Sequence, residues 1–190
     1  MRSTLLMTVA ALVMLAGCNQ SEQDDALGNT AASTNQVLPI TEADAGAAKA
    51  TTAALPTKAV PRDQAAALQK ARHENYEKIG DAMKVISREL KGESPDLAAV
   101  RQNAAIVANL APQIPSWFPP GTGPEAGKTD AKAEIWRKPE DFIAKSTAFT
   151  AAARAFNTAA QGTDLAAIRA AHGTMGKTCK ACHDLYREKD

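Results

Sequence analysis

The chain has 190 residues, and its 22 basic and 21 acidic side chains leave a formal net charge of +1 at pH 7. The basic residues are dispersed along the chain rather than clustered. This composition argues against a nucleic-acid-binding protein, which would concentrate positive charge on one surface.

Residues 1–17 are predicted to form a signal peptide, because Arg2 precedes the apolar run Leu5 to Leu15. This run is too short for an ordinary membrane span. The following Leu-Ala-Gly-Cys sequence resembles a bacterial lipoprotein cleavage site and implies lipidation of Cys18. The alternative is an unlipidated signal peptide in which Cys18 is incidental. No other run is apolar enough to cross a bilayer, so we expect a membrane contact through the lipid anchor only.

Residues 18–60 are predicted to be a disordered, flexible tether, because they are rich in small and polar residues without a sustained apolar period. Residues 61–190 fit one domain. The tether would hold this domain clear of the lipid surface.

The domain begins with two predicted helices. The first runs from Pro61 towards Gly92, and its apolar positions recur at intervals of three and four residues from Leu68 to Leu90. The second begins near Asp96 and has a stripe that reaches Ile114. The proline-rich segment 112–124 then predicts a long connection.

Two further helices are predicted, one from Pro139 to Gly162 and one from Thr163 or Asp164 to Tyr186. No strand pattern is present in the sequence. Short turns join the first helix to the second and the third to the fourth. The fold class is therefore predicted as all-α, an antiparallel up-down-up-down four-helix bundle.

Cys179-Lys180-Ala181-Cys182-His183 lies in the fourth helix and predicts covalent haem attachment. Helical spacing places Cys179, Cys182 and His183 on one face, where two sulfurs can bond the haem while the imidazole binds iron. A zinc site would need a second ligand pair, and a thioredoxin-like dithiol would need alternating strands and helices. A structural disulfide remains an alternative, although it leaves His183 unexplained.

Several polar residues share the helical stripes with apolar ones. Arg72 either meets a haem propionate or keeps its head group in solvent at the stripe edge. His172 lies roughly 16 Å along the helix from His183, too far to bind the same iron, and is interpreted as a hydrogen-bonded, partly buried histidine. Met83 is assigned to the next core layer and His73 to the solvated face.

Residues 62–190 resemble the cytochrome c′ family of bacterial four-helix haem proteins. The resemblance rests on Arg72-x-x-x-Tyr76, Lys91 to Asp96, Trp117-Phe118, Gly121-Thr122-Gly123, Glu134-Ile135-Trp136 and Gly176 to Arg187. It implies one haem c with His183 as the only protein ligand of iron and with Tyr76 over the opposite, sixth position. It also implies that Arg187 lies beside the proximal imidazole, with a surface arginine as the alternative. Trp117 would line the haem edge or simply pack in the core.

In low-spin relatives a methionine binds iron at the position of Tyr76, as the resemblance implies. A neutral phenol would instead leave iron five-coordinate and admit small diatomics such as NO and CO. The expected function is gas sequestration or transport rather than enzyme catalysis, and the alternative is electron transfer with a redox partner protein. The resemblance further implies a homodimer through the first two helices. The expected location is the periplasmic side of the envelope, with the outer membrane favoured over the inner one.

Overall fold

The computed structural model describes residues 53–189. Four long helices, α1 (Arg62–Lys91), α2 (Leu97–Leu110), α4 (Pro139–Ala160) and α5 (Leu165–Tyr186), form the domain, and the one-turn helix α3 (Glu134–Arg137) lies between α2 and α4. These helices confirm the predicted all-α four-helix bundle. The predicted signal peptide, Cys18 and the tether up to residue 52 lie outside the described residues.

The helix boundaries follow the residues that predicted them. Asp164 caps α5 by accepting hydrogen bonds from the backbone N–H groups of Ala166 at 2.9 Å and Ala167 at 3.1 Å. Pro139 occupies the first helical position of α4, where its missing N–H costs nothing. The starts of α4 and α5 are therefore encoded within a few residues of the sequence.

The second helix ends earlier than its apolar stripe predicts. α2 stops at Leu110, and residues Ala111–Trp117 continue as a tighter 3₁₀ segment. Pro112 and Pro115 have no N–H to donate to an α-helical ladder. Ala111 and Ile114 are buried nevertheless, so the stripe predicted the buried side correctly and the helix type incorrectly.

The core forms where the helices pack in close pairs: α1 with α2, α4 with α5, and α2 with α4. Each helix contributes apolar side chains, and the largest fully buried ones include Phe142, Phe156, Ile86, Ile135 and Ile168. The α1–α2 hairpin and the α4–α5 hairpin therefore share one core. Side-chain hydrogen bonds join the first and last helices, α1 and α5.

A short sequence repeat places equivalent residues in the two hairpins. Asp96–Arg101 reads Asp-Leu-Ala-Ala-Val-Arg, and Asp164–Arg169 reads Asp-Leu-Ala-Ala-Ile-Arg. Asp96 caps α2 through two backbone N–H groups at 2.8 and 3.1 Å, as Asp164 caps α5. The fifth residue of each copy, Val100 or Ile168, is fully buried. The repeat starts the second helix of each hairpin in the same way.

The arginine that ends each repeat binds the other hairpin. Arg169 Nε donates to the Leu90 carbonyl at 2.9 Å, and its Nη2 donates to the Gly92 carbonyl at 2.9 Å. Arg101 makes the corresponding bonds to the Ala160 and Gly162 carbonyls at 2.9 and 3.2 Å. Carbonyls at a helix C-terminus lack partners within the helix and attract positive charge. The two arginines thus join the hairpins reciprocally at one end of the bundle.

Replacing Arg169 with Ala is expected to lower the free energy of unfolding by about 1–3 kcal/mol, because two charge-assisted hydrogen bonds are lost. Arg101→Ala should have a similar effect, since its bonds repeat the same geometry. Urea denaturation of the haem-loaded protein would measure both. Arg154 is exposed on α4, and Arg154→Ala is the matched control that should leave stability nearly unchanged. An equal loss in all three variants would contradict this role of the two arginines.

The segment before α1 packs on the interhelical connection. The Val60 N–H donates to the Pro120 carbonyl at 3.0 Å, and Leu55 packs against the core. Gly121 has a positive φ of 89°, and a Cβ atom there would lie 3.2 Å from the Val60 carbonyl oxygen. Glycine is required at this close approach. Contacts with the domain therefore begin before Pro61, within the last residues of the predicted tether.

Candidate functional site

The two cysteines of the predicted attachment motif lie on the inner part of α5. Cys179 and Cys182 are partly buried, pack against the apolar core, and are free thiols in the described part of the chain. Burial raises the pKa of each thiol to about 11, while the charge of Lys145 on α4 opposes this rise at Cys182. Both thiols are therefore protonated at neutral pH and face the same apolar region.

His183 follows Cys182 directly and lies on the exposed side of α5. Partial desolvation, followed by the positive charge of Arg187, lowers the pKa of the imidazole, and Asp184 opposes the shift. A lower pKa favours the neutral imidazole, which is the form that binds a metal. The donor set of two thiols and one neutral imidazole within one helical turn fits covalent haem attachment with one axial ligand.

Tyr76 on α1 faces the same region from the opposite hairpin. Its ring is perpendicular to Trp117, with centroids 5.3 Å apart, and lies 6.3 Å from the ring of Phe118. Burial raises the pKa of the Tyr76 phenol above its ordinary value, and a Cys182 thiolate, where it forms, would raise this pKa further. The fold thus places Tyr76 within electrostatic reach of both cysteines, and burial keeps its phenol neutral.

Arg72, one turn before Tyr76, is only 4% exposed. Its Nη1 donates to Thr122 Oγ1 at 3.2 Å and to the Trp117 carbonyl at 3.4 Å, and its Nη2 donates to the Thr122 carbonyl at 3.1 Å and to Thr129 Oγ1 at 2.9 Å. The alternative of a head group in solvent is therefore wrong. A propionate at Arg72 would have to use Nε or displace one of these acceptors.

Aromatic rings complete the surroundings of the Arg72 guanidinium. Its carbon lies 4.7 Å from the centroid of Phe118 and 5.8 Å from that of Trp136. Burial lowers the pKa of this guanidinium from its high ordinary value, although arginine stays charged in proteins. Cation–π attraction and the four acceptors compensate for the loss of water. Arg72 consequently holds the connection between α2 and α4 against α1.

Trp117 is partly buried and meets both residues of the Arg72-x-x-x-Tyr76 motif. Its ring contacts the Tyr76 ring, and its carbonyl accepts a hydrogen bond from Arg72. The two interpretations of Trp117, haem edge and core packing, are both compatible with this position. A displacement of the Trp117 backbone would therefore also change the contact between the Trp117 and Tyr76 rings.

Arg187 lies at the C-terminal cap of α5, where the chain turns into an extended segment. Its Nη2 is 3.9 Å from Asp130 Oδ2, and both side chains are about half exposed. An isolated antiparallel bridge pairs Ala131 with Arg187. The Lys132 N–H donates to the Tyr186 carbonyl at 3.0 Å, beside this bridge. These contacts join the end of α5 to the segment between α2 and α4. The sequence did not predict them.

The remaining candidates occupy the positions expected for structural residues. His172 Nε2 lies 3.2 Å from Ser87 Oγ, and its half-buried imidazole packs near Phe156. Met83 is partly buried against the core. His73 is exposed and lies 3.4 Å from a carboxylate oxygen of Glu77. The contacts given for these three residues do not include Cys179, Cys182 or Tyr76.

Sequence reasoning missed the acceptors and rings that surround the site. Thr122 is fully buried, and its hydroxyl donates to the Pro119 carbonyl at 2.7 Å while accepting from Arg72. Tyr186 donates to Asp141 Oδ2 at 2.5 Å. Gly121-Thr122-Gly123 was a recognisable segment, but its partner 50 residues away could not be read from local spacing.

Comparisons with known proteins agree with the resemblance. The family model described as Cytochrome C' matches residues 67–187. The cytochrome c′ of Pararhodospirillum photometricum is 38% identical over 109 residues, which cover 57% of this chain and 86% of the relative. That of Cereibacter sphaeroides is 37% identical over 140 residues, covering 72% and 93% of the two chains.

A solved structure extends the similarity to the fold. It is a nitric oxide complex of a variant cytochrome c prime from Alcaligenes xylosoxidans. It is 31% identical, has a TM-score of 0.59, and covers 70% of this chain and all of the solved chain. The residues that the family model matches, 67–187, include every described candidate site residue.

Proposed function

This chain belongs to the cytochrome c′ family, whose members carry one covalently bound haem c, and we propose that it binds small diatomic gases at five-coordinate haem iron. Cys179 and Cys182 would form the two thioether bonds, and His183 would be the axial ligand of iron. Tyr76 would cover the sixth position without binding. The haem supplies an open coordination position for neutral ligands such as NO and CO.

The observation that carries this proposal is the environment of Tyr76. Its partly buried ring packs against Trp117 and Phe118, and desolvation raises the pKa of its phenol, so the hydroxyl stays protonated at neutral and mildly alkaline pH. Tyrosine binds haem iron as a phenolate, a form that this environment disfavours. The ring would nevertheless occupy space over the iron position. It would exclude large ligands while admitting diatomic ones.

The nitric oxide complex of the Alcaligenes xylosoxidans relative supports gas binding by the same fold. We propose that the physiological role is NO sequestration or transport rather than catalysis. Arg187 would lie near the proximal face of the haem, held by Asp130 and by the backbone bridge at Ala131. Its positive charge would act on the imidazole of His183.

Electron transfer is the second candidate function. One observation favours it: His183 and Leu185 lie on the exposed side of α5, and Leu185 is 49% exposed. A haem bound beside them would have an edge close to a docking redox partner protein. Five-coordinate iron would be less suited to this role, because changes in coordination add reorganisation energy.

The proposed location is the periplasmic side of the envelope, where cytochromes c′ reside. Within residues 53–189, no helix has the length and apolar character of a membrane span. We propose a lipid anchor at Cys18, in the outer membrane rather than the inner one. A homodimer through α1 and α2 stays a prediction from the resemblance.

The optical spectrum of the purified protein tests the proposed function. At neutral pH we expect high-spin, five-coordinate spectra in both the ferric and the ferrous states, and rapid formation of ferrous CO and NO complexes. Mildly alkaline pH should leave the ferric spectrum free of phenolate ligation, since the pKa of Tyr76 is raised. A six-coordinate low-spin ferrous spectrum before ligand addition would refute the proposal and favour electron transfer.

A further inference from the structure

The N-terminal arm, residues 53–61, lies against the connection between α2 and α4. The Val60 N–H donates to the Pro120 carbonyl at 3.0 Å, and the partly buried side chain of Leu55 packs against the apolar core. The arm precedes residues 67–187, the part of the chain that the family model matches. It therefore adds contacts to the domain that the family match does not include.

The arm approaches the connection most closely at Gly121. The φ of this glycine, 89°, lies in the left-handed region. A Cβ atom there would be 3.2 Å from the carbonyl oxygen of Val60 and 3.6 Å from its Cγ2 atom. Any side chain at this position would strain the backbone and push the arm and the connection apart. The two segments are thus in direct backbone contact.

α1 holds the same turn of the connection through two polar side chains. Gln69 Nε2 donates to the Gly123 carbonyl at 2.9 Å and to the Thr122 carbonyl at 3.3 Å. Arg72 donates to both the carbonyl and the hydroxyl of Thr122. The turn is therefore held by the arm at Pro120 and by α1 at the residues that follow Gly121.

The aromatic residues that contact Tyr76 come directly before this turn. Phe118 and Trp117 lie two and three residues before Pro120, and their ring centroids are 6.3 and 5.3 Å from that of Tyr76. So short a stretch of chain has few rotatable bonds, and a displacement at Pro120 is passed on to both aromatic residues. The position of the arm therefore affects the packing around Tyr76.

We propose that the N-terminal arm is a positioning element for Tyr76. By docking on the connection, the arm keeps Trp117 and Phe118 against the Tyr76 ring and so limits the access of a diatomic gas to the haem iron. This inference rests on the proposed function, in which Tyr76 covers the sixth position. A gas reaches the iron only when the ring moves aside, and close packing resists that movement. Releasing the arm should therefore make ligand entry easier.

Leu55→Asp in the haem-loaded protein is the variant that releases the arm, because an ionised carboxylate is strongly disfavoured against an apolar core. Amide hydrogen exchange of Val60 should become faster, since its bond to Pro120 opens. CO association with the ferrous protein, followed after flash photolysis, should become roughly two- to tenfold faster. Thr57→Asp is the matched control: it adds the same charge at an exposed position of the arm and should leave both rates unchanged.

Gly121→Ala tests the same contact from the connection. Alanine there would meet the Val60 carbonyl oxygen and would also adopt an unfavourable positive φ. A double-mutant cycle separates the two effects, because the backbone strain is the same whether the arm is docked or released. We expect Gly121→Ala to speed CO association more in the native background than in the Leu55→Asp background. An equal effect in both backgrounds would overturn the role of the arm.

The remaining outcomes separate this inference from the proposed function. Native CO association in Leu55→Asp, with faster Val60 exchange or a lower urea midpoint, would mean that the arm serves stability alone and would overturn the inference. Unchanged Val60 exchange, or an equal kinetic change in Thr57→Asp, would also overturn it. Each of these results leaves the proposed function intact if the native protein binds CO at five-coordinate iron. Failure of the native protein to bind CO would overturn both.

Discussion

Tyr76→Met is expected to convert the iron from five-coordinate, high-spin to six-coordinate, low-spin in both oxidation states. The thioether of methionine is a neutral ligand for haem iron, whereas the buried phenol of Tyr76 must lose a proton to bind. Burial raises the pKa of this phenol and opposes that loss. Ultraviolet–visible and electron paramagnetic resonance spectra of the purified variant would measure the change.

Ligand binding should weaken in the same variant, because an internal ligand competes with CO for the sixth position. If the iron–thioether bond contributes about 2 kcal/mol, the apparent CO affinity should fall roughly 30-fold. Tyr76→Phe is the matched control, since it keeps the ring beside Trp117 and offers no ligand atom. A high-spin Tyr76→Met protein with native CO affinity would mean that residue 76 does not lie over the iron.

Arg72→Leu is expected to lower the free energy of unfolding by about 2–4 kcal/mol, because buried acceptors lose their donor. The acceptors are the carbonyls of Trp117 and Thr122 and the hydroxyls of Thr122 and Thr129. Urea denaturation of the haem-loaded protein would measure the loss. Arg72→Leu should also alter the haem spectrum, because Trp117, whose carbonyl accepts from Arg72, packs on Tyr76.

Arg72→Lys distinguishes a clamp on the connection from a partner of a haem propionate. Lysine keeps the positive charge but cannot reproduce the forked geometry of the guanidinium. We expect Arg72→Lys to lose most of the stability that Arg72→Leu loses. Arg88→Leu, in which a side chain 71% exposed is removed from α1, should change stability by less than about 0.5 kcal/mol. Native stability in Arg72→Lys would favour the propionate role.

The helices and the attachment motif were predictable because their signals are local. The cap at Asp164, the proline at the start of α4 and the three-and-four spacing of apolar residues each act within a few residues. The extent of α2 was less predictable. Its apolar stripe continues to Ile114, but the prolines change the backbone hydrogen bonding beyond Leu110.

The environment of Arg72 was predictable only in part. The helical stripe showed that Arg72 points inwards or lies at an edge, because spacing reports a face and not a depth. Its acceptors lie at Trp117, Thr122 and Thr129, 45 to 57 residues away in a connection without regular periodicity. For the same reason, the sequence did not predict the bridge between Ala131 and Arg187. Contacts between an irregular segment and a helix have no sequence period to reveal them.

The sequence by itself determined the helical class, the order of the helices, the candidate attachment residues Cys179 and Cys182 and the candidate iron ligand His183. These three residues lie within about one helical turn of each other, so their spacing is a local signal. Tertiary structure decided what surrounds them. Packing α4 against α5 joins Tyr186 to Asp141, and folding the connection between α2 and α4 onto α1 buries Arg72 and packs Trp117 against Tyr76. These outcomes depend on the relative height and rotation of separate elements, which the side chains fix only when they pack together.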